Sequence, residues 1–170
     1  MEGQICTIDD KSWLASGKLL ISRETTGPSE AENRIPSIEE GETVSYSFRE
    51  LADNGPVPQT QPDKPIPFPM VYSAGTYSAG KIGYAYLKAA LIEPSDNKVT
   101  REHVTLEAIS HIAPRSGLEV PRSLYHGEWD DRYLFIVNAM KGQTLNRAWT
   151  TMEHGRKADC MRQVANFKVL

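Results

Sequence analysis

One lysine inside an apolar run is the residue of this sequence best placed to do chemistry. Lys88 interrupts Tyr84–Ile92, which is otherwise apolar and is typical of a β-strand. A buried ammonium group is costly unless an opposite charge compensates it. Glu102 and Glu107 lie on the helix predicted next, and we expect one of them to pair with Lys88. The alternative is an edge-strand lysine whose stem covers apolar surface while its ammonium group stays in water.

A second pattern could bind phosphate. Gly75–Lys81 satisfies the G-x-x-x-x-G-K part of a P-loop, and it follows an apolar strand. However, Ile82 occupies the position whose hydroxyl normally coordinates magnesium, and the residues that follow predict a strand where a P-loop opens a helix. A P-loop nucleotide-binding protein is therefore the least favoured of the functions that we consider for this sequence.

The histidines do not predict a metal site. Their spacing to cysteine and acidic residues does not match that of a metal-ligand set. The four residues concerned are His103, His111, His126 and His154. Ordinary helix and turn positions account for all of them.

The elements that must position Lys88 follow one another from about residue 70 onward. Apolar runs separated by turn residues predict four strands, at 68–72, 84–92, 120–125 and 133–137. Between the second and third strands, Thr100 is typical of a helix N-cap and is followed by apolar residues at helical spacing. A last amphipathic helix is predicted from near Leu145. The order is strand, strand, helix, strand, strand, helix.

The first 69 residues differ in composition from the rest. Residues 23–69 contain 11 apolar side chains in 47, with nine acidic residues against four basic ones. Such a segment buries too little apolar surface to offset its chain entropy, and the Pro-rich run Gly55–Pro69 should be extended. We therefore expect residues 1–69 to be a mostly flexible, Pro- and acid-rich extension. Within it, residues 1–22 could form a short helix or strand around Trp13, Leu14 and Lys18–Ile21, and the alternating run 44–48 could form one short strand.

Composition excludes several classes of function. The 170-residue chain has a formal net charge of -3 and dispersed basic residues, which argues against a nucleic-acid partner. No apolar run approaches the roughly 20 residues of a membrane-spanning helix, and the N-terminus lacks a signal-peptide pattern. Cys6 and Cys160 lie outside any CxxC motif and are interpreted as reduced thiols. We therefore expect a cytoplasmic protein that binds neither membrane nor nucleic acid.

Four short segments carry a resemblance to a known family. In order they are Thr100–Glu107, Val120-Pro-Arg122, Tyr133–Val137, and Gly142-Gln-Thr-Leu145 followed by Ala148-Trp149. Over residues 70–170 the chain resembles the N-terminal lobe of fungal phosphotransferases of the aminoglycoside phosphotransferase and choline kinase type.

The resemblance implies an α+β fold. Residues 70–140 would form a protein-kinase-like small lobe, which is an antiparallel sheet plus one helix. Residues 141–170 would form the hinge and the first helix of the large lobe, so that the chain is truncated before the helical C-terminal lobe.

The resemblance also implies roles for individual residues. Lys88 matches the lysine that grips the nucleotide phosphates and Glu102 matches its ion-pair partner, with Glu107 as the fallback. The other residues implied to bind the cofactor ATP are Asn138, Ala139 and Met140 of the hinge, and Gly80 and Gly83 of the turn that would cover the phosphates. That turn does not match the protein-kinase pattern G-x-G-x-x-G.

The sequence departs from the family at the catalytic residues. The family places an H-x-D-x-x-x-x-N loop and a metal-binding aspartate further downstream, and the 170 residues contain no such loop. The one look-alike, His126-Gly-Glu128, has Glu in place of Asp. We therefore expect no catalytic residue and no metal ligand in this chain, with Mg²⁺ held only if other residues complete the site.

The expected function is accordingly the nucleotide-binding half of an ATP-dependent small-molecule phosphotransferase, inactive alone, with an adenine nucleotide bound weakly. The alternative is a non-catalytic, pseudokinase-like interaction module. In either case the small lobe would expose apolar surface that a partner chain could cover.

Overall fold

The fold is α+β, with two five-stranded antiparallel sheets and three helices among the described residues. The computed structural model describes residues 5–25, 34–52, 67–93, 100–116, 119–129 and 131–167. None of the helices in these ranges is both long and apolar enough to span a membrane. The expected α+β class is confirmed, but two sheets replace the expected single sheet with one helix.

The first sheet is built from the segment expected to be flexible. Its strands are β1 (Ile5–Thr7), β2 (Ser12–Ala15), β3 (Leu19–Glu24), β4 (Arg34–Glu39) and β5 (Glu42–Glu50), in the spatial order β1-β2-β3-β5-β4. The expectation of a flexible extension over 1–69 is therefore wrong for 5–25 and 34–52. Most of the Pro-rich run 55–69 lies outside the described residues.

The alternation of apolar and polar residues explains why a segment with so few apolar residues forms a sheet. Along β5, Val44, Tyr46 and Phe48 are buried, whereas the serines between them are only partly buried. Successive side chains of a strand point to opposite faces, so a strand with one buried face needs an apolar residue only at every second position. The average composition of the segment hides that pattern.

The second sheet carries the predicted site. Its strands are β6 (Met70–Ala74), β7 (Tyr77–Ile82), β8 (Ala85–Leu91), β9 (Ser123–Trp129) and β10 (Arg132–Asn138), in the spatial order β6-β7-β8-β10-β9. Helix α1 (Glu102–Ser116) connects β8 to β9. The strands predicted at 84–92 and 133–137 are confirmed. The turn expected over 126–132 is shorter than expected, because β9 continues to pair with β10 as far as Trp129.

The two sheets pack face to face around one shared apolar core. The first sheet contributes Trp13, Ala15, Leu19, Ile21, Ile35, Val44, Tyr46 and Phe48. The second sheet and the residues just before it contribute Phe68, Ile82, Ala85, Leu87, Ala89, Leu134 and Ile136. The first sheet thus covers one face of the second sheet, and α1 packs on the other.

Hydrogen bonds link the rims of the two sheets. The Tyr84 N–H donates to the Pro36 carbonyl at 3.3 Å. The Tyr125 hydroxyl donates to the Glu50 carboxylate at 2.9 Å. These bonds fix the second sheet relative to the first at two places outside the apolar core.

Two helices follow the second sheet, namely α2 (Leu145–Trp149) and α3 (His154–Phe167). The Thr144 hydroxyl caps α2 by accepting the Arg147 N–H at 3.4 Å. The single final helix expected from Leu145 onward is therefore divided, with residues 150–153 between its two parts. No residue of α2 is buried.

Candidate functional site

Lys88 lies on the face of the second sheet that the first sheet does not cover. Its cross-strand neighbours are Ala79 of β7 and Phe135 of β10. The ammonium nitrogen lies 5.6 Å from the centroid of the Phe135 ring, and the side chain is 24% exposed. Because most of the side chain is shielded from water, its attraction to a nearby carboxylate is stronger than it would be on an open surface.

Glu102 supplies that carboxylate. It is the first residue of α1, and its Oε1 accepts a hydrogen bond from Lys88 Nζ in a salt bridge. Glu107, the second acid considered from the sequence, instead lines a groove between α1 and β9. Residues five positions apart point to different sides of a helix, so the geometry of α1 selects Glu102 over Glu107.

The ion pair leaves the ammonium group able to bind an anion, since lysine has three N–H donors and Glu102 accepts one of them. Tyr77 of β7 lies within range of the same carboxylate. Burial and then the Glu102 charge raise the pKa of Tyr77 to about 12, so its phenol stays neutral at physiological pH. Tyr86 of β8 shares the Lys88 face, because the two are separated by one residue along the strand.

Together these side chains offer a fixed cation, a neutral phenol and a half-buried aromatic ring on one face of the sheet. Such groups suit a phosphorylated ligand that also carries a flat ring. The sequence reasoning did not single out Tyr77 or Tyr86. Alternation along β7 and β8 was the signal that could have found them.

The residues predicted to form the hinge lie at the end of β10 and directly after it. The Asn138 N–H donates to the Arg122 carbonyl at 3.1 Å, and the Asn138 side-chain oxygen accepts the Arg122 N–H. The Ala139 N–H donates to the Tyr84 carbonyl at 2.7 Å. The protein therefore uses two of the three hinge amides itself. Among the hydrogen bonds between described residues, none uses the Met140 amide.

The two glycines predicted near the phosphates lie elsewhere. The turn expected over 75–83 is mostly strand β7, and Gly80 lies within it, where a Cβ would collide with the Phe68 ring. Gly83 lies in the β7–β8 turn with φ +55°, and a Cβ there would lie 3.0 Å from the Pro36 carbonyl oxygen. Close packing therefore explains both glycines, against the Phe68 ring at Gly80 and against the first sheet at Gly83.

The P-loop geometry expected for Gly75–Lys81 is not formed. After the turn at 75–76 the chain enters β7 and then β8, both of which are strands. A P-loop binds phosphate at the N-terminus of the helix that follows it. The hypothesis of a P-loop nucleotide-binding protein therefore has no structural basis in this segment.

Comparisons with other proteins add nothing to this geometry. No protein-family model, curated protein or solved structure matches the chain. The site is therefore judged from its own residues. The described residues contain no group of three or more His, Cys, Asp or Glu side chains that could hold a metal ion. Cys6 and Cys160 are free thiols.

A stacked pair of histidines joins α1 to β9. The ring centroids of His103 and His126 lie 3.8 Å apart, with 5° between the ring planes. His103 Nδ1 lies 3.0 Å from the Tyr133 hydroxyl, whose oxygen also accepts the His103 backbone N–H at 3.3 Å. Burial and then the nearby His126 lower the pKa of His103. No sequence pattern indicates this pair, because the two residues are far apart along the chain.

A groove of about 970 Å³ opens between α1, β9 and the hinge. Its apolar lining includes Leu106, Val120, Leu124 and Met140. Leu124 is 40% exposed and Met140 is 38% exposed. The groove is lined by His103, the residue after Glu102. Apolar side chains of the second sheet are exposed here and also on β6, at Met70 and Val71.

Proposed function

We propose that the second sheet and α1 form the ATP-binding half of a small-molecule phosphotransferase of the aminoglycoside phosphotransferase and choline kinase type. The observation that carries the proposal is the salt bridge between Lys88 and Glu102. In protein kinases, a lysine on the third strand pairs the nucleotide phosphates and is held by a glutamate on the helix that follows. Lys88 is on the third strand of the second sheet, and Glu102 begins the helix after it.

The dimensions of the site suit a nucleoside triphosphate. Lys88 pairs with Phe135, and the Met140 amide lies five residues further along the chain. At about 3.4 Å per strand residue, roughly 10 Å separate Lys88 from the end of β10, which leaves room for an adenosine group. We propose that Lys88 binds the phosphates, that the Met140 amide binds adenine and that the Tyr86 ring packs against the base.

Mg²⁺ between the phosphates would neutralise the charge that develops during phosphoryl transfer. The described residues offer no acidic cluster for this ion, so we assign no metal ligand to them. The 170 residues also contain no H-x-D-x-x-x-x-N motif. We therefore propose nucleotide binding in the cytoplasm without turnover by these residues alone. The assignment of residues 141–170 to the hinge and large lobe stays a prediction.

Thermal-shift titration with Mg-ATP tests the proposal. At an ATP concentration of about 100 times Kd, bound nucleotide stabilises the fold by about 2.7 kcal/mol, which raises Tm by roughly 5–10 °C in a chain of this size. Lys88→Ala removes a charged contact to phosphate and should weaken ATP binding by about tenfold or more. Lys11→Ala removes the same charge from the β1–β2 turn and serves as the matched control.

Two results would refute the proposal. One is the absence of any shift at millimolar ATP. The other is a Lys88→Ala variant that binds ATP as well as the Lys11→Ala control does.

An interaction module is the second candidate, and it is favoured by one observation. Val104, Leu124 and Met140 leave apolar surface exposed on or beside the groove. Exposed apolar patches of this kind often mark contact sites for another protein. A chain that shows no ATP-dependent shift but retains its fold would favour this candidate over the phosphotransferase.

A further inference from the structure

The first turn of α1 is held on the second sheet by a cluster of polar groups around His103. Charged and titratable groups from three parts of the chain face this ring. Arg101 directly precedes α1 and Glu107 lies on it, His126 and Glu128 lie on β9, and Tyr133 lies on β10. Arg101 Nε donates to Glu128 Oε1 at 2.6 Å, which adds a second link between the start of α1 and β9. Glu102, the partner of Lys88, lies between Arg101 and His103 in the sequence.

The contacts of Tyr133 fit a neutral His103. The Tyr133 oxygen accepts the His103 backbone N–H, and its own proton can be donated to His103 Nδ1, 3.0 Å away. Burial raises the pKa of Tyr133, so the phenol keeps the proton that it donates. If Nδ1 gained a proton, two donors would compete for the one phenolic oxygen.

We propose that the His103–His126 stack positions Glu102 against Lys88 and releases it on acidification. Histidine is the side chain that gains a proton as the pH falls from neutral towards 5. Two positively charged rings at a centroid separation of 3.8 Å repel each other across the contact between α1 and β9. The consequence for nucleotide binding rests on the function proposed above, whereas the docking of α1 does not.

The direction of the pH effect follows from the surroundings of His103. Burial and His126 lower its pKa, whereas Glu128 and Glu107 act in the opposite direction with smaller effect. With α1 released, the ring would regain the ordinary imidazole pKa of about 6.5, so the released form binds more protons. Docking of α1 is therefore complete above about pH 6.5 and weakens progressively as the pH falls below that value.

Amide hydrogen exchange of α1 tests the switch without any nucleotide. We compare the chain at about pH 7.5 and about pH 5 after correcting for the intrinsic exchange rate. Protection of the amides in the first two turns of α1 should fall by about tenfold or more at the lower pH. Protection of β2 in the first sheet should stay unchanged.

His126→Phe separates the charge of the stack from its shape. Phenylalanine retains a flat ring over His103 but cannot be protonated, so α1 of this variant should lose less protection at about pH 5 than α1 of the wild type. The titration midpoint of His103, followed by NMR, should rise in the variant. His111→Gln removes an exposed imidazole from the same helix and should behave as the wild type does.

Unchanged α1 protection in the wild type at both pH values would overturn the proposal. Equal loss of protection in the wild type and His126→Phe would also overturn it. The wild-type measurement needs no substitution, so it decides the question even if the variant does not fold.

ATP titrations at the same two pH values separate this inference from the proposed function. If ATP binds, its affinity should fall more steeply with acidification in the wild type than in His126→Phe, and equal falls would refute the coupling to Lys88. If ATP does not bind at either pH, the proposed function fails, and the exchange experiment still decides the role of the stack.

Discussion

The two faces of the second sheet differ in the side chains that they carry and in how far these are exposed to solvent. On the face towards the first sheet, Leu87, Leu134 and Ile136 have no measurable exposure. On the opposite face, Tyr133, Phe135 and Val137 form a smaller apolar cluster. Beside it lie Lys88 and Glu102, whose side chains are 24% and 39% exposed. Leu87 and Lys88 are neighbours on one strand, but Leu87 is fully buried between the sheets whereas Lys88 is partly exposed to solvent.

Because of this difference, we expect the residues that stabilise the fold to be distinct from the residues that bind a ligand. Apolar burial provides the larger share of folding free energy, whereas a partly exposed ion pair adds little. Substitutions on the face towards the first sheet should therefore lower the free energy of unfolding. Substitutions of the Lys88–Glu102 pair should instead change ligand binding while leaving that free energy nearly intact.

The largest expected effect is on the buried face. Leu134→Ala leaves a cavity in the core shared by both sheets, and we expect the free energy of unfolding to fall by about 2–5 kcal/mol. Urea denaturation measures this as a lower midpoint with an unchanged slope. Leu145→Ala makes the same change at a residue that is 48% exposed on α2, and should stay within about 0.5 kcal/mol of the wild type. Equal losses in the two variants would mean that the shared core does not carry the stability.

A smaller effect is expected at Gly80, which packs beneath the Phe68 ring. Gly80→Ala places a methyl group against the Phe68 ring, and overpacking of this kind costs about 1–3 kcal/mol. Phe68→Leu in the same chain should recover part of that loss, which a double-mutant cycle by urea denaturation would measure. Gly155→Ala adds the same methyl group to α3, where nothing lies within 4 Å, and should be neutral or stabilising. Additive losses from Gly80→Ala and Phe68→Leu would contradict the close contact.

Part of the second sheet was predictable, because the signals of β8 and β10 are local, whereas β7 lies where a turn was expected. Apolar runs bounded by turn residues predicted β8 and β10, and a charge inside one of those runs drew attention to Lys88. Helical spacing then left Glu102 and Glu107 as candidate partners. The structure brings Lys88 and Glu102 together, although the binding of nucleotide by this pair stays a prediction.

The first sheet was not predictable from composition, because composition averages the two faces of a strand. Six of the nine residues of β5 are polar, and yet Val44, Tyr46 and Phe48 are buried in the shared core. Gly80 was misplaced for a related reason. A glycine that packs beneath a ring and a glycine that approaches a phosphate look identical in sequence.

The contact between the two stacked histidines could not be predicted from the sequence for a different reason. His103 and His126 lie on different elements, and their contact depends on how α1 crosses β9. No periodic pattern links two such residues in one sequence, so only the assembled fold reveals the pair.

The smallest expected effect on stability is at the residue with the largest expected effect on binding. Lys88→Met keeps a flexible, apolar side chain against Phe135 and removes the ammonium group, so the free energy of unfolding should change by only about 0–1 kcal/mol. Urea denaturation of Lys88→Met, Glu102→Gln and the double variant gives the coupling energy of the pair, which should also stay below about 1 kcal/mol. A loss as large as that of Leu134→Ala would place Lys88 in the structural core and remove the distinction between the two faces. A small loss together with abolished ATP binding would instead mean that the ion pair serves ligand binding rather than folding.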